Sequence, residues 1–145
     1  MSSQIILVAE AVKDVINAAT FSTGSPTFTA TRGYVPMFEL KDMETAHVTV
    51  IPREIAIVNT SRDQAGETYS IDIAVQQRPD GETNALFDVL SLLVEEITDL
   101  LQRTRLASPS AMCTAVGVNP IYSPEHIRNW MQFTSVITAE YKLFR

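Results

Sequence analysis

Residues 69–76 constrain the fold most strongly, because apolar and polar side chains alternate there without interruption. The apolar positions are Tyr69, Ile71, Ile73 and Val75, and the polar positions between them include Ser70, Asp72 and Gln76. A two-residue period indicates a strand that buries one side, as in an antiparallel sheet. Residues 63–66, with the sequence DQAG, are typical of a turn. We therefore predict a hairpin with one buried face.

Two segments carry apolar side chains at the three- and four-residue spacing of amphipathic helices. The first is residues 3–19, with apolar positions at Ile5, Val8, Ala9, Val12, Ile16 and Ala19. Ser2 or Ser3 can cap its exposed amide groups. The second begins near Thr83 and carries a broad apolar stripe, formed by Leu86, Val89, Leu90, Leu93, Val94, Ile97, Leu100 and Leu101. We expect this longer helix to lie across the sheet.

Four further segments have the β-branched and aromatic composition of strands, namely residues 27–34, 46–60, 112–122 and 132–145. Pro52 interrupts the second of them. Because proline cannot donate a ladder hydrogen bond, we expect that strand to be bent or broken there. On either side of the proline, Val48 and Val50 and then Ile55 and Ile57 are expected to face the core.

The order of elements is helix, about three strands, helix, two strands, with a loop expected over residues 35–45 and a helical turn over 123–125. This order predicts an α+β fold: a mostly antiparallel sheet with two main helices packed on one face. The chain has 145 residues, of which 46% are hydrophobic. That size suits one compact core, so we interpret residues 1–145 as a single domain.

The charge balance argues against tight binding of nucleic acid. Eleven Lys and Arg residues face seventeen Asp and Glu residues, which gives a net charge of -6, and no basic run is present. Gripping phosphates requires clustered cations, so a DNA- or RNA-binding groove is not expected. Acidic walls that repel DNA are compatible with this composition.

The single cysteine, Cys113, cannot form an internal disulfide, and one Cys with two separated His residues lacks the spacing of a structural zinc site. A reducing cytoplasm fits this composition best. No segment reaches the ~20 apolar residues of a membrane span, and the start MSSQ lacks the cationic region of a signal peptide. We therefore expect neither secretion nor a membrane partner.

No catalytic motif is recognisable: there is no nucleophile elbow, glycine-rich phosphate loop, paired-His metal motif or kinase set. His47 and His126 are each either a general base or a surface or capping residue. Cys113, beside Met112 and Ala115, is either a nucleophile or a small apolar strand residue. We assign no catalytic residue and no cofactor.

Asp88, Glu95, Glu96 and Asp99 lie on the long helix, away from its apolar stripe. They admit three interpretations: a metal site, a solvated helix face, or an acidic lining that faces passing DNA. Our candidate acidic lining is Asp88, Glu95 and Asp99, and we predict no metal site.

Large apolar side chains are concentrated near residues 121–133, where Tyr122, Trp130 and Phe133 are the candidates for a subunit contact. The same residues also fit a core. Arg53 and Glu54, which follow Pro52, are either a contact between neighbouring subunits or a solvated ion pair. Both alternatives stay open from the sequence.

Several phrases of the sequence, in this order of elements, are similar to one family. They are RGYVPMFELKDM, HVTVIPRE, ETYSIDIAVQQR, ALFDVLSLLVEEI and NPIYSPEHIRNWMQFTSVITAEYKL. Over nearly its whole length the chain resembles the tail terminator, or tail completion, proteins that act at the head-tail junction of long-tailed bacteriophages.

The resemblance implies a structural virion protein that forms a hexameric ring, caps the head-proximal end of the tail tube and ends its polymerisation. It implies partners in other copies of the chain, the tail tube protein and the head-closure or neck connector protein. DNA would pass through the ring without tight binding. The expected location is the head-tail junction of the virion, and the host cytoplasm during assembly. A head-closure protein, or another neck or minor tail protein, fits the same resemblance.

Two alternatives come from other classes of protein. One is a small cytoplasmic enzyme that uses His47 or His126 with an acidic partner. The other is an adaptor that docks a partner peptide on the aromatic cluster of residues 121–133.

Overall fold

The computed structural model describes residues 3–19, 21, 30–33, 47–59, 65–77, 84–107, 110–118 and 133–144. These residues form two helices, α1 (Gln4–Ala18) and α2 (Asn84–Arg103). They also form six strands: β1 (Ala30–Arg32), β2 (His47–Asn59), β3 (Ala65–Gln77), β4 (Leu106–Ala107), β5 (Ser110–Val118) and β6 (Phe133–Phe144).

The strands lie in one sheet in the order β1-β2-β3-β6-β5-β4. Only β1 and β2 run parallel, and every other neighbouring pair is antiparallel. Both helices contribute to the same buried cluster against one side of the sheet, which we call the helix side. The predicted α+β fold and its order of elements are therefore confirmed.

Helix α1 follows the predicted apolar pattern closely. Its buried residues are Val8, Ala9, Val12 and Ile16, and Ile5 packs against the same core. Ser3 occupies the N-cap position, but its hydroxyl makes no capping hydrogen bond. Ser2, the alternative predicted cap, lies outside the described residues. The carbonyl of Ser3 instead accepts a backbone hydrogen bond from Leu7, as in an ordinary first helical turn.

Two side chains of α1 hold β1 at the edge of the sheet. The Asn17 Oδ1 accepts a hydrogen bond from the Ala30 amide at 2.8 Å, and the Asn17 Nδ2 donates to the Ala30 carbonyl at 3.1 Å. Two helical turns earlier in α1, the Glu10 Oε1 accepts a hydrogen bond from the Arg32 Nε at 2.6 Å. The Asn17 amide thus satisfies backbone groups of Ala30 that the three-residue edge strand would otherwise leave open.

Helix α2 buries Leu90, Leu93, Val94, Ile97 and Leu101, and Leu100 packs at the border of the core. Its residues Asp88, Glu95 and Asp99 are exposed. The predicted start near Thr83 and the predicted apolar stripe agree with this helix. Its length lets it pack across β5 and β6, which lie on the same half of the sheet.

Strand β3 is buried more completely than predicted. Tyr69, Ile71, Ile73 and Val75 face the helices and are almost fully buried, as their alternation indicates. On the opposite side, Ser70 and Gln76 are also buried, at 8% and 4% exposure, where we expected an open polar face. Long strands flank β3 on both sides, so its polar side chains are shielded even there.

Strand boundaries differ from the sequence prediction in four places. Strand β2 runs unbroken through Pro52, Ala65 and Gly66 belong to β3 rather than to the turn, Ser110 belongs to β5 rather than to a break, and β4 was not predicted. In the first predicted strand, residues 30–32 form β1. The loop at 35–45 and the helical turn at 123–125 lie outside the described residues. Strand β6 agrees with its predicted alternation, with Ile137, Ala139, Tyr141 and Leu143 buried.

Candidate interaction surface

A β-bulge at Arg53 gives strand β2 its shape. Pro52 pairs with Ile71 and Glu54 pairs with the next residue, Ser70, so Arg53 is one extra residue in β2. A bulge bends a strand and increases its local twist without ending its pairing. The sequence predicted a bend or a break at Pro52, and the bulge beside it bends β2 without breaking it.

The bulge also changes which residues face the helices. Before it, the even-numbered Val48 and Val50 pair with Val75 and Ile73 and face the helix side. After it, odd-numbered residues face that side. Arg53 and Glu54 consequently both lie on the opposite side of the sheet.

Arg53 contacts its own subunit on that opposite side. Its Nη1 lies 3.6 Å from the Asp72 Oδ1, and the same oxygen accepts a hydrogen bond from the Thr138 Oγ1 at 2.8 Å. The Arg53 side chain remains 53% exposed. An ion pair this long and this exposed contributes little to stability, so Arg53 retains most of its capacity to bind another molecule.

The outer half of β2 lies open to solvent. Every residue from 53 to 57 is exposed, and Ile55 and Ile57 expose 47% and 61% of their surface. We predicted both isoleucines to be buried toward the core, and the predicted burial is wrong. They do face the helix side, but β1 pairs only with residues 48–50, so no described strand flanks β2 beyond them. We call residues 51–59 the β2 edge.

A second open edge lies at the other end of the sheet. Strand β5 pairs with β4 only at Ser110 and Ala111, and no described strand lies beyond residues 112–118. In this segment Met112 is 54% exposed, and Thr114, Ala115 and Gly117 are exposed as well. We call residues 112–118 the β5 edge. Sequence reasoning did not identify it, although a glycine inside a strand, such as Gly117, often marks a close approach of another backbone.

The β5 edge carries its own bulge. Cys113 pairs with Tyr141, and Ala115 pairs with the next residue, Glu140, so Thr114 is the extra residue. The Thr114 Oγ1 donates a hydrogen bond to the Glu140 carbonyl at 3.4 Å. Strands β2 and β5 thus each have an open segment and each carry one bulge.

Cys113 has the properties of a packing residue. It is half-buried and packs against the hydrophobic core. Burial raises the pKa of its thiol, the Glu140 charge raises it further, and a hydrogen bond to the Ala115 carbonyl lowers it only in part. Raising the pKa reduces the thiolate fraction, which opposes a nucleophilic role.

The remaining predicted site residues are placed as follows. His47 begins β2 opposite Gln76 and is partly buried. Phe133 begins β6, and its side chain lies outside the described residues, as do His126, Tyr122 and Trp130 in full. The structure therefore brings Arg53 and Glu54 together on one edge and leaves the aromatic candidates undescribed.

The predicted acidic lining forms a solvent-exposed stripe on α2. Asp88, Glu95 and Asp99 share one face of the helix with Leu92, which is 45% exposed. The four residues, Asp88, Leu92, Glu95 and Asp99, are spaced by four, three and four positions, which places them in line along the helix. In the described part of the chain, no three His, Cys, Asp or Glu side chains are grouped so as to hold a metal ion.

No helix among the described residues is both long enough and apolar enough to cross a membrane. Comparison with models of known protein families gave no match, and a search of curated proteins gave none either.

Proposed function

We propose that this chain is a structural subunit that assembles into a ring at the head-proximal end of a phage tail tube. In this role it ends polymerisation of the tube and joins the tail to the neck or head connector. The proposal rests on the resemblance to tail terminator proteins described above. From the structure, the observation that supports it is the β2 edge with its exposed isoleucines.

An open edge strand presents unpaired backbone amides and carbonyls, which template pairing with another chain. The β2 edge adds apolar side chains to this template. Fully burying an isoleucine stabilises by about 1.5 to 3 kcal/mol, so Ile55 and Ile57 together favour association over an isolated subunit. A subunit contact at this edge would bury both side chains.

The net charge of -6 and the acidic stripe suit a channel for DNA. Carboxylates that line a passage repel phosphates and keep DNA from binding to the wall. In the proposed ring, Asp88, Glu95 and Asp99 face the channel. Neither catalysis nor a cofactor is part of the proposal, and the partners are further copies of the chain, the tail tube protein and the connector.

Mass measurement in solution tests the self-association. We expect purified protein to elute as a closed oligomer by size-exclusion chromatography with light scattering, and negative-stain electron microscopy to show rings. Ile57→Lys should shift the protein toward monomer. Leu7→Lys is the matched control, because Leu7 is 41% exposed but lies on α1 and belongs to neither edge. A wild-type chain that stays monomeric at every concentration contradicts the proposal.

Electron microscopy of assembled particles tests the location. Antibody or gold label on this subunit should mark the junction between head and tail. Label at the distal tip, along the tail or on the head shell would show that the proposed place in the virion is wrong, even if the protein forms rings.

A further inference from the structure

We propose that residues 51–55 in the β2 edge of one copy pair with residues 113–117 in the β5 edge of a second copy, so that the sheet continues from subunit to subunit. This inference rests on the proposed ring and names the contact that builds it. It is a heterologous contact, in which two different surfaces of the same chain meet. Such contacts form closed rings when the rotation between copies closes.

The strand directions permit this pairing. From β2 through β3 and β6 to β5, each neighbouring pair is antiparallel, so β2 and β5 run in opposite directions. A second copy with the same strand orientation therefore presents β5 antiparallel to β2. Its helices then lie on the same side of the joined sheet as those of the first copy.

The two edges also lie at the same height in the sheet. Paired residues form two continuous rows from β2 to β5: Ile51, Asp72, Thr138 and Gly117 in one, and Ile55, Tyr69, Tyr141 and Cys113 in the other. A second copy needs only a sideways displacement to align the edges. Contacts without a rise along the strands favour a closed ring over an open helix.

The bulges match each other in length. Between the two rows, β2 spans residues 51–55 and β5 spans 113–117, whereas β3 and β6 cover the same interval with one residue fewer. A bulged edge normally discourages pairing with another strand. Here both edges carry one extra residue in the same interval, so residues 51–55 can pair one to one with 113–117.

Side chains on the two edges are complementary in size. In this register Ile51 lies opposite Gly117, and Ile55 lies opposite the small Cys113. Gly117 has no atom within 4 Å of the position where a Cβ would stand, so the site has room for an isoleucine. A glycine inside a strand often marks a close approach of another backbone.

Charges agree with the same arrangement. Arg53 lies opposite Ala115 of the second copy, on the side of the sheet that also carries Glu140, the partner of Ala115 in β6. The exposed guanidinium then faces an opposite charge across the junction. Arg53 thereby gains a second charged partner, Glu140 of the neighbouring copy, in addition to its long ion pair with Asp72.

Cysteine cross-linking tests the contact directly. In Ile55→Cys, the new thiol should lie opposite the native Cys113 of the neighbouring copy, at about 4.5 to 5.5 Å between Cβ atoms. Within one chain β3 and β6 separate the two positions by about 14 Å, which excludes an internal disulfide. Mild oxidation should give a ladder of covalent oligomers on a non-reducing gel, and Ile55→Cys with Cys113→Ser should give none. A ring of Ile55→Cys subunits that gives no ladder after full oxidation would overturn the inference.

Mixing of blocked edges separates this inference from the proposed function. We expect Arg53→Glu with Ile55→Asp to block the β2 edge, and Ala115→Asp to block the β5 edge, so that each variant is monomeric alone. Each keeps one intact edge, so their mixture should form a dimer of one copy each and nothing larger. Leu7→Asp is the control, and circular dichroism checks that every variant is folded.

The remaining outcomes are unambiguous. If wild-type protein forms rings and both blocked variants still do, the edge pairing is wrong while the proposed function stands. If only the β2 block matters, the contact is between two β2 edges and the inference is also wrong. A monomeric wild-type chain would contradict both.

Discussion

Tyr69 and Tyr141 lie directly opposite each other in β3 and β6, both buried on the helix side, but their hydroxyl groups are in different states. The Tyr69 hydroxyl donates a hydrogen bond to the buried carboxylate of Glu67. The Tyr141 hydroxyl is buried and has no hydrogen-bond partner among the described residues. The two rings pack as one cross-strand pair, whereas their polar atoms make opposite contributions to stability.

Replacing each tyrosine by phenylalanine should separate these contributions. Tyr141→Phe removes a hydroxyl that is desolvated without compensation, so we expect the free energy of unfolding to stay equal or to rise by about 1 kcal/mol. Tyr69→Phe removes a donor to a buried carboxylate and should lower it by about 1.5 to 3 kcal/mol. Urea unfolding at pH 7 measures both. A larger loss for Tyr141→Phe than for Tyr69→Phe would contradict the assignment.

Alkaline pH should act through the same residue. Burial raises the pKa of Tyr141 well above its ordinary value of 10.0. Above pH 10 the unfolded chain releases this proton and the folded chain retains it, so the folded state loses stability as the pH rises. We expect the free energy of unfolding to fall more steeply above pH 10 in wild type than in Tyr141→Phe. Equal slopes for the two proteins would show that Tyr141 ionises normally.

The sequence predicts side-chain periodicity better than it predicts the place of a strand in the sheet. Tyr69, Ile71 and Ile73 are buried because β3 is central, and their alternation suffices to predict this. Ile55 and Ile57 alternate equally well but are exposed, because burial there depends on whether a further strand flanks β2. That neighbour is a matter of tertiary arrangement, which no local pattern encodes.

The bulge, in contrast, leaves a signal in the sequence. The apolar positions change from even-numbered, at Val48 and Val50, to odd-numbered, at Ile55 and Ile57, which requires one extra residue between them. Pro52 suggests a bend or a break, and the change of parity indicates a bulge. No such signal predicts that β6 lies between β3 and β5, or that the two edges lie at the same height. Both features depend on pairing between segments that are distant in the sequence.

Removing the Asn17 amide should loosen β1. In Asn17→Ala the amide and the carbonyl of Ala30, a residue only 2% exposed, both lose their partners. We expect a loss of about 1 to 3 kcal/mol in the free energy of unfolding and faster hydrogen exchange at the Ala30 amide. Asp14→Ala, at an exposed position of the same helix, is the control. Unchanged exchange at Ala30 in Asn17→Ala would show that β1 does not depend on this contact.

Acid should weaken the contact between α1 and β1. Hydrogen bonds from Lys13 and then from Arg32 lower the pKa of Glu10 below its ordinary value of 4.5. A lowered pKa stabilises the folded state above pH 4.5, and this contribution is lost as the pH falls through the lowered value. Because the side chain is 37% exposed, we expect Glu10→Gln to cost at most about 1 kcal/mol at pH 7.

The difference between wild type and Glu10→Gln should therefore shrink below pH 4.5. Urea unfolding at pH 7, 5 and 3 measures it. Asp14→Asn is the matched control, since Asp14 is 74% exposed and lies 3.7 Å from the Lys13 Nζ. A difference that is constant from pH 7 to pH 3 would contradict the role of the Glu10 charge.

Reversing the charges on the exposed face of α2 should convert a surface that repels DNA into one that binds it. In Glu95→Lys with Asp99→Lys, adjacent positions of the acidic stripe become cationic and can displace counterions from DNA. If the stripe lines the channel of the proposed ring, the assembled variant should retain double-stranded DNA at low salt, and the affinity should fall steeply as salt increases.

The control for this variant is Asp14→Lys, which adds positive charge on the exposed surface of α1. Electrophoretic mobility shift assays at about 50 and 200 mM salt compare DNA binding by the two variants. DNA binding by the α2 variant alone would support a stripe that faces passing DNA. Equal binding by both variants would mean that any added cation suffices, and that Asp88, Glu95 and Asp99 are an ordinary solvated helix face.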